Sequence, residues 1–204
     1  MKHANAEHPV DDLLRRRWSP LAFSARSVGP ETLLSLFEAA RWAPSSFNGQ
    51  PWRFVVATKD EPEEFNRMLG CLVPANQRWA KDAPVLMLAV ASLNFAHDGR
   101  PNRHAMYDTG AAVMCMILQA TSLGLYAHQM GGFIPERARE TYSIPGGFEP
   151  AAAVALGYLG DPESLPEDLR ARERKPPVRQ PLRDFVFAGR WAAPAPWLTP
   201  ADGR

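Results

Sequence analysis

The sequence predicts a single α+β domain in which one mixed β-sheet is covered by helices. Three observations lead there. Stretches with strand-like and helix-like apolar spacing are interspersed, without the strict alternation of a doubly wound fold. Neither an internal repeat nor a clear linker divides the 204 residues. Hydrophobic content of 46% against 22% charged residues is that of an ordinary soluble chain with material for a sizeable core. The whole of 1–204 reads as one domain, with a flexible N-terminus over 1–10 and an extended C-terminal arm over 161–204.

The elements follow in order. "HPVDDLLRRRW" reads as a short first helix. "GPETLLSLFEAARWA" is a stronger one: Pro30 suits the first helical position, Glu31 favours the positive helix end, and Leu33, Leu34, Phe37 and Ala40 recur at helical spacing. "WRFVVAT" and "APVLMLAVAS" read as strands, the second buried on both faces. "EPEEFNRMLG" is a short helix between them. "RHAMYDTGAAVMCMILQATSLG" is the longest helix, with a wide stripe of Met106, Gly110, Val113, Met114, Ile117, Leu118 and Thr121 and a stop at Gly124. "LYAHQM" is a strand, "PERARETY" a helix and "PAAAVALGYLG" a buried strand. From Asp161 the chain turns polar and proline-rich. Proline numbers 20 in all, about twice the usual ~5%, which suggests long defined connections.

Several function classes are excluded by what is missing. A net charge of +1 offers no basic field for nucleic acid. Cys71 and Cys115 stand alone, which suits a reducing cytosol, and the expected location is cytoplasmic. The N-terminus lacks the apolar core of a signal peptide, and "APVLMLAVASL" is too short to span a bilayer. There is no GxGxxG after a strand, no GxxxxGK[ST], no HExxH and no GxSxG. The five histidines are scattered, and His128 reads as a partly buried structural residue.

What remains is a set of separated polar clusters. "RRRWSP", residues 15 to 20, would by itself be a solvated face. "RWAPSSFNGQPWRF", residues 41 to 54, is far richer in hydrogen-bonding side chains than a helix-to-strand connection needs. Asn76 lies in "PANQRWAKDAP", and "HQMGGF" brings Gly131 and Gly132, where a backbone can approach something flat. Arg179 is a late basic position. Arginines far apart in sequence suit a phosphate, and a polar loop with a glycine pair suits the edge and face of a planar ring. Together these suggest a phosphorylated aromatic cofactor.

"EAARWAPSSFNGQPWRFVV" resembles the Ala-Pro-Ser-x-x-Asn-x-Gln-Pro-Trp signature of the FMN-dependent nitroreductases. "RRWSPLAF", "NQRWAKDAPV", "LGLYAHQMGGF" and "ALGYLGDP" follow that family in order, and the resemblance runs from about residue 11 to 191. It implies a homodimer with FMN at the subunit interface, and a C-terminal arm that crosses to the partner. Pro44, Ser45, Ser46, Asn48 and Gln50 would form a loop reaching the flavin bound mainly by the other subunit, with Trp42 and Trp52 as buried wedges. Arg17 and Ser19 match positions at the phosphate and ribityl chain. Arg16 either assists there or is solvated. Asn76 matches an asparagine on the ring's polar edge. Gln129, Met130, Gly131 and Gly132 match the segment beside the ring face, and Arg179 a late arginine that returns to the phosphate. No metal is expected.

The implied activity is hydride transfer from NAD(P)H through flavin N5 to an electron-poor acceptor: a nitroaromatic, a quinone or an activated alkene. No protein side chain is expected to act as a catalytic acid or base, because the chemistry belongs to the flavin. The resemblance departs at three places. Many relatives carry a cation where this chain has Leu21, some a glutamate where it has Gly131, and the second late cation stands as Pro177. A specialised flavin-fragmenting or dehalogenating relative, or an FMN-storing or sensing protein with little turnover, are the alternatives.

Overall fold

A computed structural model describes residues 3–198. The chain divides into two compact units, one extending to Arg174 and one beginning at Lys175. The first holds the helices α1 (Asp12–Arg16), α2 (Pro30–Arg41), α3 (Pro62–Gly70), α4 (Pro74–Ala80), α5 (Ala105–Ser122), α6 (Pro135–Tyr142) and α7 (Glu167–Arg174). Its strands are β1 (Trp52–Thr58), β2 (Val85–Ser92), β3 (Tyr126–Met130) and β4 (Phe148–Gly157). Part of the proline surplus is explained by helix starts: α2, α3, α4 and α6 each have proline in the first turn, where its missing N–H has no intrahelical acceptor to lose.

The four strands lie in the order β1-β2-β4-β3. The α+β class is as expected, but within this chain the sheet is antiparallel at each of its pairings, not mixed. Between β1 and β2 the reason is visible in the register. Thr58 pairs with Val85, so β2 begins at the end where β1 stops. Two helices, α3 and α4, lie between them, and the chain returns to the end it left, whereas a single crossover helix would give a parallel pair.

Alternation along β2 divides the core into two layers. Leu86, Leu88 and Val90 pack with Phe65, Met68, Leu72, Trp79, Ala138 and Leu169, so α3, α4, α6 and α7 cover that face. Val85, Met87 and Ala89 pack with Leu36, Ala40, Val113, Met116 and Ile117, so α2 and α5 cover the other. The sheet is thus buried on both sides, which is why β2 reads as a continuous apolar run.

α5 corrects the expected stripe. Ala105, Asp108, Thr109, Ala112, Val113, Met116, Ile117, Ala120 and Thr121 are buried, so Val113, Ile117 and Thr121 face the core as expected. Met106 and Gly110 are exposed instead, and Met114 and Leu118 are only half-buried. Small residues let the helix settle on the sheet, and several of its larger apolar side chains are left outside. Gly124, at φ 77°, ends the helix as expected.

Where an extended arm was expected from residue 161, the chain first makes a 3-10 turn over Pro162–Ser164 and then α7. The second unit has a 3-10 turn at Leu182–Asp184, a bridge between Phe187 and Pro194, and the Phe187 ring edge-on to Trp191 at 5.2 Å.

Candidate functional site

The loop before β1 is the most constrained piece of backbone. Phe47, Asn48 and Gln50 all have positive φ, at 51°, 54° and 45°. Asparagine tolerates this region, but for phenylalanine and glutamine it costs about 1–2 kcal/mol each. Such strain persists only where the surroundings over-determine it. Here the Asn48 N–H donates to Ser45 O and the Gly49 N–H to Ser46 O. The Gln50 N–H donates to Ser45 Oγ at 3.0 Å, and Arg53 Nη1 donates to Gln50 O at 3.0 Å. The Ser46 N–H donates to Asp108 Oδ2 at 2.9 Å, tying the loop to the first turn of α5.

Asp108 was not singled out from the sequence. It is the one buried carboxylate on the mostly apolar inner face of α5, and that placement was the available signal. Ser46 Oγ and the exposed Asn48 amide make no hydrogen bond among the described residues. An open cleft of about 330 Å³ beside the loop is lined by Arg41, Trp42, Ala43, Asn48 and Gln50.

The two flanking tryptophans behave differently. Trp52 is buried in the α2/α5 layer, as expected. Trp42 is 77% exposed and is no buried wedge. Its indole N–H donates to Glu38 Oε1 at 2.8 Å, because Glu38 lies one turn back on α2 and faces the same way. Arg41 and then Trp42 hold the Glu38 carboxyl below its usual range. Phe47 is 85% exposed, with its ring edge-on to Phe95 at 5.9 Å.

A second group gathers at β3, the opposite edge strand. Arg16 pairs with Asp12 at 2.6 Å within α1. Arg17 Nη1 donates to Ser19 Oγ at 3.5 Å, which brings together the two residues expected at the phosphate and ribityl chain. Trp18 lies edge-on to Tyr126 of β3 at 6.3 Å, and Leu21 is in the core, 2% exposed. Asn76 Nδ2 donates to Gly132 O at 2.9 Å, so these two expected residues meet across 56 positions. A Cβ on Gly132 would stand 2.6 Å from Asn76 Nδ2, whereas one on Gly131 would meet open space. Gln129 is exposed, and Met130 is buried in the core.

Loop 44–50 precedes β1 and the Gly131–Gly132 segment follows β3, and these two strands are the opposite edges of the sheet, about 14 Å apart laterally across three strand spacings. Arg179, in the second unit, is exposed and donates to Val178 O. Among the described residues no group of three or more His, Cys, Asp or Glu could hold a metal ion. Nor is any helix there long and apolar enough to cross a membrane.

The nitroreductase family model matches residues 14–158, which takes in both groups. The chain belongs to the nitroreductase family. A crystal structure described as an oxidoreductase containing FMN is similar to this nitroreductase-family chain at 42% identity and a TM-score of 0.88, over 95% of this chain and 100% of that one. A nitroreductase family protein from Clostridium difficile 630 is 28% identical with a TM-score of 0.68, over 87% and 96%. In sequence, an uncharacterised 15.4 kDa protein of Mycolicibacterium smegmatis is 38% identical over 65% of this chain and 87% of its own. A Stenotrophomonas maltophilia protein with the provisional name NADH dehydrogenase/NAD(P)H nitroreductase is 28% identical over 81% and 92%. The family assignment makes this chain an oxidoreductase.

Proposed function

We propose that this chain is an FMN-dependent oxidoreductase that takes reducing equivalents from NAD(P)H and delivers them to an electron-poor planar acceptor, such as a nitroaromatic, a quinone or an activated alkene. The observation that carries the proposal is the loop before β1. It keeps strained backbone at Phe47 and Gln50, is anchored through Asp108, and leaves Ser46 Oγ and the Asn48 amide without a protein partner. Nothing in a plain connection requires such an arrangement. The related crystal structure described as containing FMN supports the cofactor, and the name of the Stenotrophomonas relative supports the donor.

The residues present fit this cofactor. Pro44, Ser45, Ser46, Asn48 and Gln50 suit the polar edge of the ring system. Arg17 and Ser19, with Arg16, suit the phosphate and ribityl chain, since forked guanidinium donors match phosphate oxygens; Arg179, in the second unit, is a separate candidate for the phosphate. The open side of Gly131 leaves room for a flat face beside Gln129, Met130 and Gly132. Asn76 fixes the Gly132 carbonyl and so the path of that segment. FMN bound here supplies the hydride chemistry, at its N5 atom.

The two groups at opposite sheet edges favour an active homodimer, in which the loop of one subunit faces the β3 end of the other. The exposed apolar residues Leu14, Leu34, Met106, Tyr107 and Leu123 all lie on or next to α1, α2 and α5, and a partner covering them would bury that face. A second reading, FMN storage or sensing with little turnover, is favoured by Leu21. It places a core side chain where many relatives carry a cation.

Cofactor identity is the first test. Chromatography of the heat-released cofactor should give FMN. FAD, or no flavin after reconstitution, would defeat the proposal.

A further inference from the structure

One peptide unit, Pro20–Leu21, is held on both sides by side chains from distant parts of the chain. Its carbonyl oxygen lies 2.8 Å from His128 Nδ1, across 108 positions. Its N–H donates to Glu173 Oε2 at 2.8 Å, across 152 positions. A carbonyl oxygen can only accept, so His128 donates from Nδ1. The imidazole also packs against Trp79, with ring centroids 4.5 Å apart. Glu173 is 3% exposed, on the last turn of α7. Burying a carboxylate is costly unless the charge is bonded, and here one of its oxygens is spent on a backbone N–H.

The clamped peptide belongs to no helix or strand. It follows Ser19 directly and Arg17 closely. His128 immediately precedes Gln129, Met130, Gly131 and Gly132. Glu173 stands just before the second unit, which carries Arg179. The half-buried His128 and the buried Glu173 therefore converge on one peptide that is close in sequence to Arg17 and Ser19. Proline already fixes φ at position 20. Fixing the plane of the next peptide holds the chain where it leaves Ser19, and so limits the paths open to the short segment from Arg17 to Ser19.

We propose that His128 and Glu173 are positioning residues, which clamp the Pro20–Leu21 peptide and thereby aim Arg17 and Ser19 at the phosphate of FMN. The clamp rests on the FMN reading above. It acts through the backbone, so its signature is selective: it matters for a ligand with a phosphate and not for the same ring without one.

Riboflavin supplies that comparison. The full-length apo-protein is titrated with FMN and with riboflavin by quenching of flavin fluorescence, and unfolding is followed in parallel. The wild type should prefer FMN. Glu173→Ala and His128→Phe should each weaken FMN binding about 10-fold while leaving riboflavin within about 2-fold, since 1.4 kcal/mol is tenfold. Glu173→Gln retains an oxygen that can accept from the Leu21 N–H, and His128→Asn retains a side-chain N–H near Nδ1; both should keep most of the preference. If Glu173→Ala does not fold, His128→Phe, which keeps a ring against Trp79, decides the matter. An FMN preference that survives both disruptive variants refutes the clamp alone. Equal loss of FMN and riboflavin reduces it to a fold-stabilising contact and also refutes it. A wild type with no preference for FMN refutes the cofactor reading, and the clamp with it.

Discussion

Replacing Gly132 by alanine tests the geometry at the end of β3. The new Cβ would stand 2.6 Å from Asn76 Nδ2 and 3.0 Å from Val73 Cγ2. Asn76 can swing its amide away, but only by giving up the 2.9 Å bond to the Gly132 carbonyl. That carbonyl also accepts from the Val73 N–H at 3.1 Å, so moving the backbone instead strains the start of α4. Losing one hydrogen bond costs about 1 kcal/mol, and crowding against Val73 adds about another. For a chain of this size, about 2 kcal/mol lowers Tm by roughly 4–8 °C, readable by calorimetry. Flavin affinity should fall as well, because the displaced amide is one of the candidate ring contacts. Gly131→Ala is the control. Its Cβ meets nothing within 4 Å, and no positive φ is involved. It should be neutral, or stabilising by about 0.4–1 kcal/mol through the unfolded chain. If the two alanine variants melt together, the close approach of Asn76 to Gly132 is not real.

Other perturbations give equally direct readings. Arg17→Ala and Arg179→Ala should each weaken FMN binding about 10- to 100-fold by equilibrium titration, the value of roughly 1.5–3 kcal/mol for a charge-assisted contact, while the exposed Arg15 should be near neutral; equal losses at all three would mean the phosphate is misplaced. Burial holds His128 below its ordinary 6.5, with the Pro20 carbonyl opposing and Arg172 reinforcing the shift. The unfolded chain therefore takes up the proton first. The His128 contribution is fully present above about pH 6.5 and is lost as pH falls through the lower folded value. Wild-type Tm should thus drop more than that of His128→Asn between pH 7.5 and 5, and parallel curves would contradict the burial argument. A chain truncated after Leu182 loses Phe185, Phe187 and Trp191 and should lose dimerisation and FMN together; a yellow dimer by light scattering and absorbance would show that the tail is not an arm.

Much of the fold was legible because local signals agreed. β1 and α6 fall on "WRFVVAT" and "PERARETY", where turn residues and apolar spacing mark both ends. The facing of α5 was not legible. Its outer or half-buried side carries Met106, Gly110, Met114 and Leu118, while Ala105, Ala112 and Ala120 are buried beside Val113, Met116 and Ile117, so apolar residues occur all round the helix and their spacing did not single out one face. Small alanines on the buried face carry little apolar signal, although they pack closely there. The Trp42 misreading has a similar origin: an aromatic beside a polar loop looks like a wedge, but the Glu38 bond holds it outside. The loop, Asn76 and Gly132 could each be named from the sequence, but that Asn76 bonds the Gly132 carbonyl could not. Asp108, His128 and Glu173 could not be placed in roles. Each acts by holding a backbone group at least 62 positions away, and no local pattern records such a partner.

The central claim is that this chain binds FMN and turns it over with NAD(P)H. The most direct measurement is the visible absorbance of the FMN-loaded protein under anaerobic conditions, first with NADH or NADPH and then with menadione or a nitroaromatic. Prompt bleaching by at least one nucleotide and recovery of the yellow colour on adding an acceptor is the expected result, and it excludes storage. A flavin that stays yellow through excess NADH and NADPH would contradict the claim.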